Sequence, residues 1–324
     1  MLKAAAEVAS LIRDGRKLAL AASEELLAQL PAGDWIGGTI PYFMTDEGGL
    51  ADPASIFVTE LPGEVRCEGT AIYHTDTLPR IVAESPENGF TFVIMPAGSD
   101  VLMTYAREAP DYEQMFRKPI LGWVSGVPLT EVGKIAPKVV DGRTRAVLRD
   151  RAVAMHCSLP ARLHATVGIV NLFRQGDGDT ITFPSDGFKA SECWVNGRRQ
   201  PFAAYLSRQG INTQLPLVAN YSGTMINVAI QNIDAASGEV SFFAPVFEGV
   251  AYRFAAPIGD YVTEFEKALP SGIEPVFSCN CILNYSYSKL EGRVVAGMRG
   301  PFTFGEIAYQ LLSQTLVYLT LDRD

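Results

Sequence analysis

Histidine is nearly absent from this chain. Of 324 residues only His74, His156 and His164 are histidines, and none stands at the H-x-x-x-H spacing that puts two ring nitrogens on one helix face. Cysteine is sparse and poorly arranged for a disulfide framework or a metal knuckle. The five (Cys67, Cys157, Cys193, Cys279, Cys281) are odd in number and scattered, and the one close pair is C-x-C, not C-x-x-C. These shortages argue against a resident metal and point to a reducing compartment, so the expected location is cytoplasmic. No apolar run reaches transmembrane length, and Glu7, Arg13, Asp14 and Arg16 interrupt the Ala-rich start where a signal peptide would need an apolar core. Basic charge is short too: 27 Lys and Arg against 36 Asp and Glu give a net charge of −9, and the densest basic stretch, 143–151, contains Asp150. Nucleic acid and membranes are therefore not expected partners. Neither G-x-x-x-x-G-K-[ST] nor a G-x-G-x-x-G after a strand occurs, which removes the common phosphate loops.

What is present is alternating apolar pattern. Apolar spacing predicts a helix over 4–13 and a buried strand over 18–22. Ser23 then reads as an N-cap, with Glu24 and Glu25 in the first turn of a second helix. Strands are predicted over 35–40, 55–61, 65–74, 90–95 and 120–125, with a helix over 100–107. Residues 128–150 mix glycine, proline and both charges without a period, and read as a boundary or linker. Beyond them the pattern is strand-rich: 152–159, 165–173, 180–183, 218–222, 226–233, 239–243 and 251–254, with a helix over 202–207. Gly176-Asp177-Gly178-Asp179 reads as a hairpin turn into 180–183; it lacks the further acidic ligands of a calcium loop. The C-terminal part is predicted as helix 260–268, strand 275–278, helix 280–290, strand 293–296, loop 300–305, helix 306–312 and strand 315–321.

Together these predict an α/β protein, mixed sheets with helices on the outer faces. A four-layer αββα arrangement of two related halves is the first architecture, and two separate α/β lobes the second. The halves are drawn at 1–140 and 141–324. An internal echo is open to a reading as duplication: Ile36-Gly37-Gly38-Thr39-Ile40-Pro41-Tyr42-Phe43 and Ala296-Gly297-Met298-Arg299-Gly300-Pro301-Phe302 share strand, glycine, proline and ring in order. Turn chemistry common to unrelated proteins explains the same likeness.

The candidate site lies near the C-terminus. Phe277-Ser278-Cys279-Asn280-Cys281 ends an apolar strand in small polar groups, and Gly300 to Ile307 delivers one carboxylate, Glu306, among aromatic rings. Small polar groups facing a rigid loop with a single charge frame a small-molecule pocket. Glu306 reads equally as a ligand contact and as a carboxylate at a helix N-terminus. Ser278, Cys279, Asn280, Phe302 and Glu306 are the candidate ligand-binding residues from this side, and Thr39, Tyr42 and Ser125 from the other. Backbone N–H groups at Ser125-Gly126 could take a carboxylate, with a tight turn as the plainer account. Phe43, Tyr285, Tyr287 and Phe304 are further candidates to line the pocket, while Asn220, Tyr221 and Asn227 around Gly223 read as hairpin residues. Cys279 also admits a nucleophile, provided a base reaches it through the fold; a buried strand cysteine serving as a small hydrophobe is the plainer reading.

At these residues the chain resembles the FIST family of bacterial sensory domains. The likeness is carried by Phe277-Ser278-Cys279 and Phe302-Thr303-Phe304-Gly305-Glu306-Ile307, by the stretch from Val195-Asn196-Gly197 through Ala251, and less closely by Trp35-Ile36-Gly37-Gly38-Thr39 and residues 120–126. Where many members have an Arg a few positions after the Cys, this chain has Asn280, Cys281 and Asn284. The resemblance implies intracellular binding of a small ligand, an amino acid or related metabolite, with output through a separate signalling protein. It also raises haem-based gas sensing, for which His74, His156 and His164 are the available ligands, although no haem motif accompanies them. Four functions are thus carried forward: a ligand-binding sensory protein, a cysteine-dependent hydrolase or transferase, a haem-based gas sensor, and a scaffolding protein whose cleft is closed by its own side chains.

Overall fold

Leu18–Ala22 is five buried residues in succession, the signature of a strand covered on both faces. It pairs in parallel with Trp35–Thr39 through the short helix Glu24–Ala28, whose cap is Ser23, its Oγ accepting from the Leu26 N–H at 3.4 Å. In the computed structural model, which describes residues 1–221, 224–295 and 297–323, these strands belong to the first of four six-stranded sheets among the described residues. Its order is Leu2–Lys3, Ile56–Glu60, Leu18–Ala22, Trp35–Thr39, Val139–Asp141, Ala146–Leu148. The apolar stripe of helix Ala5–Arg13, with Val8 and Ile12 buried, closes one face of this sheet together with Leu27, against Leu18, Leu20 and Ile56.

The other face meets a second sheet. There Glu306–Ala308, Ile120–Ser125, Gly89–Pro96, Ala152–Ser158 and Arg66–Tyr73 lie side by side, with the wholly buried Ile120–Ser125 and Gly89–Pro96 parallel. A Cβ on Gly38 would sit 2.6 Å from the Trp123 ring, so glycine is what lets the two sheets approach. Helix Asp100–Glu108 packs on the far side of Gly89–Pro96, its Tyr105 hydroxyl donating to the Tyr309 carbonyl at 2.7 Å. The order is helix, sheet, sheet, helix. The third sheet runs Leu163–Val170, Leu316–Arg323, Phe277–Cys281, Gly300–Thr303, Tyr42–Thr45, Gly48–Ala51. It also faces the second, Phe277 edge-on to Phe92 with ring centroids 4.5 Å apart. Helix Ile282–Tyr287 covers its back through Tyr285, whose ring centroid lies 4.7 Å from that of Phe302.

The protein is thus mixed α/β, about 19% helix and 42% strand. Packing divides the chain into one compact unit of residues 1–170, 268–311 and 315–324 and another of 171–267 and 312–314. The expected division at 140/141 rests on the glycine, proline and mixed charge of 128–150; packing instead carries the C-terminal strands back into the first unit. In the second unit a six-stranded antiparallel sheet and the three strands Gly187–Ala190, Val240–Val246 and Ile230–Ile233 enclose Phe183, whose ring meets Phe202, Phe242 and Tyr252 at 5.3–5.7 Å. Among the described residues no helix is long and apolar enough to cross a membrane.

Several expectations change. Residues 139–148 are not a linker but two short strands that finish the first sheet. The Gly176–Asp179 turn makes no hairpin with the preceding strand, because Ile181 pairs with Val195 and Tyr252. Residues 306–312 are strands Glu306–Ala308 and Gln310–Leu312, not a helix, and Gly300–Thr303 is a strand, not a loop. Residues 293–295 carry no strand; Ala296, Ser222 and the Gly223 turn lie outside the described residues. The two echoing segments meet: Gly300 and Pro301 pair with Met44 and Phe43 in antiparallel register.

One consequence of register is testable. Cys67 and Cys157 stand directly opposite on antiparallel strands, beside a bulge. Directly opposed residues lie roughly 4.5–5.5 Å apart at Cα, within disulfide reach. Both thiols are free, with Cys67 half-buried. Treatment with diamide is expected to link these two, recovered as one peptide pair in a non-reducing digest. Recovery of Cys67 still alkylatable after prolonged oxidation would show the register to be wrong.

Candidate functional site

The eight candidate residues fall in the first compact unit, but they do not converge on one pocket. Three line a hollow. Ser278, Cys279 and Asn280 form one wall, Met298, Arg299, Gly300 and Pro301 another, with Met44 and Leu316 beside them. Its free volume is about 10 Å³, the room of a single water. The Ser278 hydroxyl donates across it to the Arg299 carbonyl at 2.9 Å, and Asn280 Oδ1 accepts from Asn284 Nδ2 at 2.9 Å. At the outer edge the half-exposed Arg299 guanidinium pairs with the Asp46 carboxylate, also exposed. The lining is chiefly apolar, two methionines among it, with a cation at the rim.

Glu306 lies elsewhere. On strand Glu306–Ala308, Cα-paired to Trp123, it points into the space between the second and third sheets and is fully buried. Its Oε2 accepts from the Thr315 N–H at 3.1 Å and the Thr315 hydroxyl at 2.8 Å, and Oε1 lies 3.4 Å from Thr303 Oγ1. Burial pushes its carboxyl up to about 8, opposed by the hydrogen bonds from Thr315, Cys281 and Thr303. At neutral pH it is mainly an uncharged acid. Both readings of Glu306 are thereby corrected. It is neither a loop carboxylate open to ligand nor a helix N-terminal cap, because the segment is strand and every oxygen is turned inward.

Cys279 shares this interior. Its thiol donates to the Gly122 carbonyl at 3.6 Å, and burial, with the Glu306 carboxyl next in weight, holds it well above the ordinary thiol range. A nucleophile needs a thiolate and access, and here it has neither. Among the described residues no three His, Cys, Asp or Glu side chains gather to hold a metal.

The remaining candidates are held by the fold. Thr39 Oγ1 donates to the Gly126 carbonyl at 2.8 Å and accepts from the Lys138 N–H at 2.9 Å. The Gly126 N–H donates to the Thr39 carbonyl at 2.7 Å and so is not open to a carboxylate. Tyr42 accepts from the Leu129 N–H at 2.9 Å, and Phe302 is wholly buried beneath Tyr285. Ser125 is buried with its hydroxyl unpartnered. Asn227 bonds Asn171 and the Ser313 carbonyl, both at 3.0 Å, which is a structural role and not a hairpin one. For haem, both ring nitrogens of His156 are engaged, with Tyr73 at 2.7 Å and Thr91 at 2.8 Å, and His74 Nε2 accepts from Arg151 at 3.3 Å.

Sequence reasoning missed Arg299 and Asp46. A charge beside Gly300-Pro301 was there to be noticed, but its partner is more than two hundred residues away in sequence. No curated protein matches the chain. A model described as a family of unknown function (DUF6976) matches residues 3–322, almost the whole length, and the chain belongs to that family.

Proposed function

We propose that this protein binds a small carboxylate ligand, an amino acid or related metabolite, at the hollow beneath Arg299, and that it acts as a sensory protein with output through a separate signalling partner. The observation that carries the reading is the composition of the hollow: an apolar, methionine-rich lining beneath a guanidinium whose counter-ion is an exposed and replaceable carboxylate. A ligand carboxylate takes over the place of Asp46, and its side chain displaces Met298, an unbranched residue that repacks at low cost. Exposed ion pairs contribute little, about 0–1 kcal/mol, so the exchange costs little. The resemblance of Phe277-Ser278-Cys279 and Phe302 to Ile307 to FIST-domain motifs supports a sensory role.

The test is a thermal-shift screen of the twenty free amino acids and of linear C2–C6 carboxylic acids. A saturating rise in melting temperature is expected with at least one of them, as binding to the folded state requires. Arg299→Gln should weaken that response at least about tenfold and Asp46→Asn should strengthen it, since the first removes the anion's partner and the second its competitor. Responses equal in all three proteins would refute the site.

A further inference from the structure

A second polar cluster lies on the opposite face of the second sheet, away from the hollow. Five contacts run through it in a line. Ser85 Oγ donates to the Ile81 carbonyl at 2.7 Å and lies 2.7 Å from Thr91 Oγ1. Thr91 Oγ1 lies 2.8 Å from His156 Nδ1, His156 Nε2 lies 2.7 Å from the Tyr73 hydroxyl, and that hydroxyl donates to Glu84 Oε2 at 2.6 Å. Ser85, Thr91, His156 and Tyr73 are all buried.

Each contact needs a proton between its two heavy atoms. Ser85, Thr91 and Tyr73 supply one each, and a neutral imidazole supplies one more. That makes four protons for five contacts. With the neutral proton on Nε2, Thr91 must donate to Nδ1 and Ser85 to Thr91, which strips the Ser85–Ile81 contact. With it on Nδ1, Tyr73 must donate to Nε2, which strips the Tyr73–Glu84 contact. Either way two oxygens face each other at hydrogen-bond distance without a hydrogen. An imidazolium satisfies all five. The proton does not belong on Glu84, whose Oε1 is gripped by the Arg80 guanidinium, with Nε at 2.8 Å.

We propose that His156 is held as an imidazolium at neutral pH by this line of hydroxyls, and that the proton clamps the Arg80–Ser85 turn to the sheet until rising pH removes it. The charged groups around it agree in sign. Glu84 Oε2 lies 3.9 Å from His156 Nε2, and Glu68 on the neighbouring strand adds a second negative charge. Arg80 is spent on Glu84; Lys118 reaches the Ser85 carbonyl at 3.1 Å and pairs with the Glu87 carboxylate beyond it. Burial pulls the imidazolium down, and it outweighs the two carboxylates. Against that pull, the neutral ring forfeits a contact at one end of the line. A folded-state value above the unfolded one means that the contribution is complete below about pH 6.5 and is lost as pH climbs through the folded value.

With three histidines in the chain, ¹⁵N-histidine labelling gives a resolvable spectrum. The expected result for the full-length protein at pH 7 is one histidine with protons on both ring nitrogens, one of which is lost only at higher pH. Tyr73→Phe keeps the ring's shape and removes one link. Three contacts and three protons then remain on the Ser85 side, so its His156 should be neutral at pH 7. A neutral His156 at pH 7 in the wild type, or identical titration in wild type and Y73F, would overturn the proposal.

Discussion

Glu306→Gln is expected to fold and to be more stable than the wild type at alkaline pH, whereas Glu306→Ala should lose about 3 kcal/mol or more at pH 5, where the wild-type carboxyl is protonated, and less at pH 9. The asymmetry follows from what surrounds the side chain. An alanine leaves the buried Thr315 N–H and hydroxyl without an acceptor and opens a void between the sheets. The amide of E306Q keeps an oxygen for Thr315 and turns its NH₂ toward Thr303 Oγ1. The pH dependence has a definite sign. Burial raises the carboxyl from 4.5 to about 8, so the folded state holds its proton more tightly than the unfolded chain does. The group's contribution is complete below about pH 4.5 and is lost as pH rises through about 8. At about 1.4 kcal/mol per unit, the loss amounts to a few kcal/mol. The amide has no proton to lose. Urea unfolding of both proteins at pH 5 and pH 9 should therefore give curves that separate only at the higher pH. An equal gap at both would mean that Glu306 is not the buried acid described here.

Gly300→Ala is the second large effect. A Cβ at this position would stand 1.7 Å from the Ser278 carbonyl oxygen. That oxygen is backbone, so no rotamer change relieves the clash. Strands Phe277–Cys281 and Gly300–Thr303 would have to part, taking with them the wall of the hollow and the Asn280–Phe302 pairing. We expect a loss of about 3 kcal/mol or more, seen as a large drop in melting temperature with the carboxylate response abolished. An unchanged melting temperature would contradict the close approach of these strands.

Gly300 also shows what could and could not be read from the sequence. Continuous apolar runs such as 18–22, 90–95 and 120–125 could be read as strands because burial on both faces leaves no other pattern. Ser23 and its two glutamates marked a helix start by side-chain chemistry alone. Around 300–312, by contrast, glycine and proline signal a turn in isolation. Here the glycine permits contact with a neighbouring strand, and Pro301 pairs with Phe43, a partner chosen by the fold. Glu306 misled for the same reason. The glycines and proline before it suggested a loop or a helix start, whereas pairing of its strand with Trp123 turns the side chain inward toward Thr303 and Thr315. Residues 139–148 escaped because strands of three residues carry too little period to register. Of the site, Ser278, Cys279 and Asn280 were legible from the polar end of an apolar strand. Arg299 and Asp46 were not, since an ion pair across a sheet leaves no local trace.

The most direct test of the ligand-binding account is native mass spectrometry of the protein purified from its own cells, beside Arg299→Gln purified in the same way. A small acidic molecule bound to the wild type and missing from the folded variant is the predicted result, and its mass would name the ligand. Wild-type protein that carries nothing, and that stays empty when titrated with each responder of the thermal-shift screen, would contradict it and leave a closed, self-filled cleft as the better description.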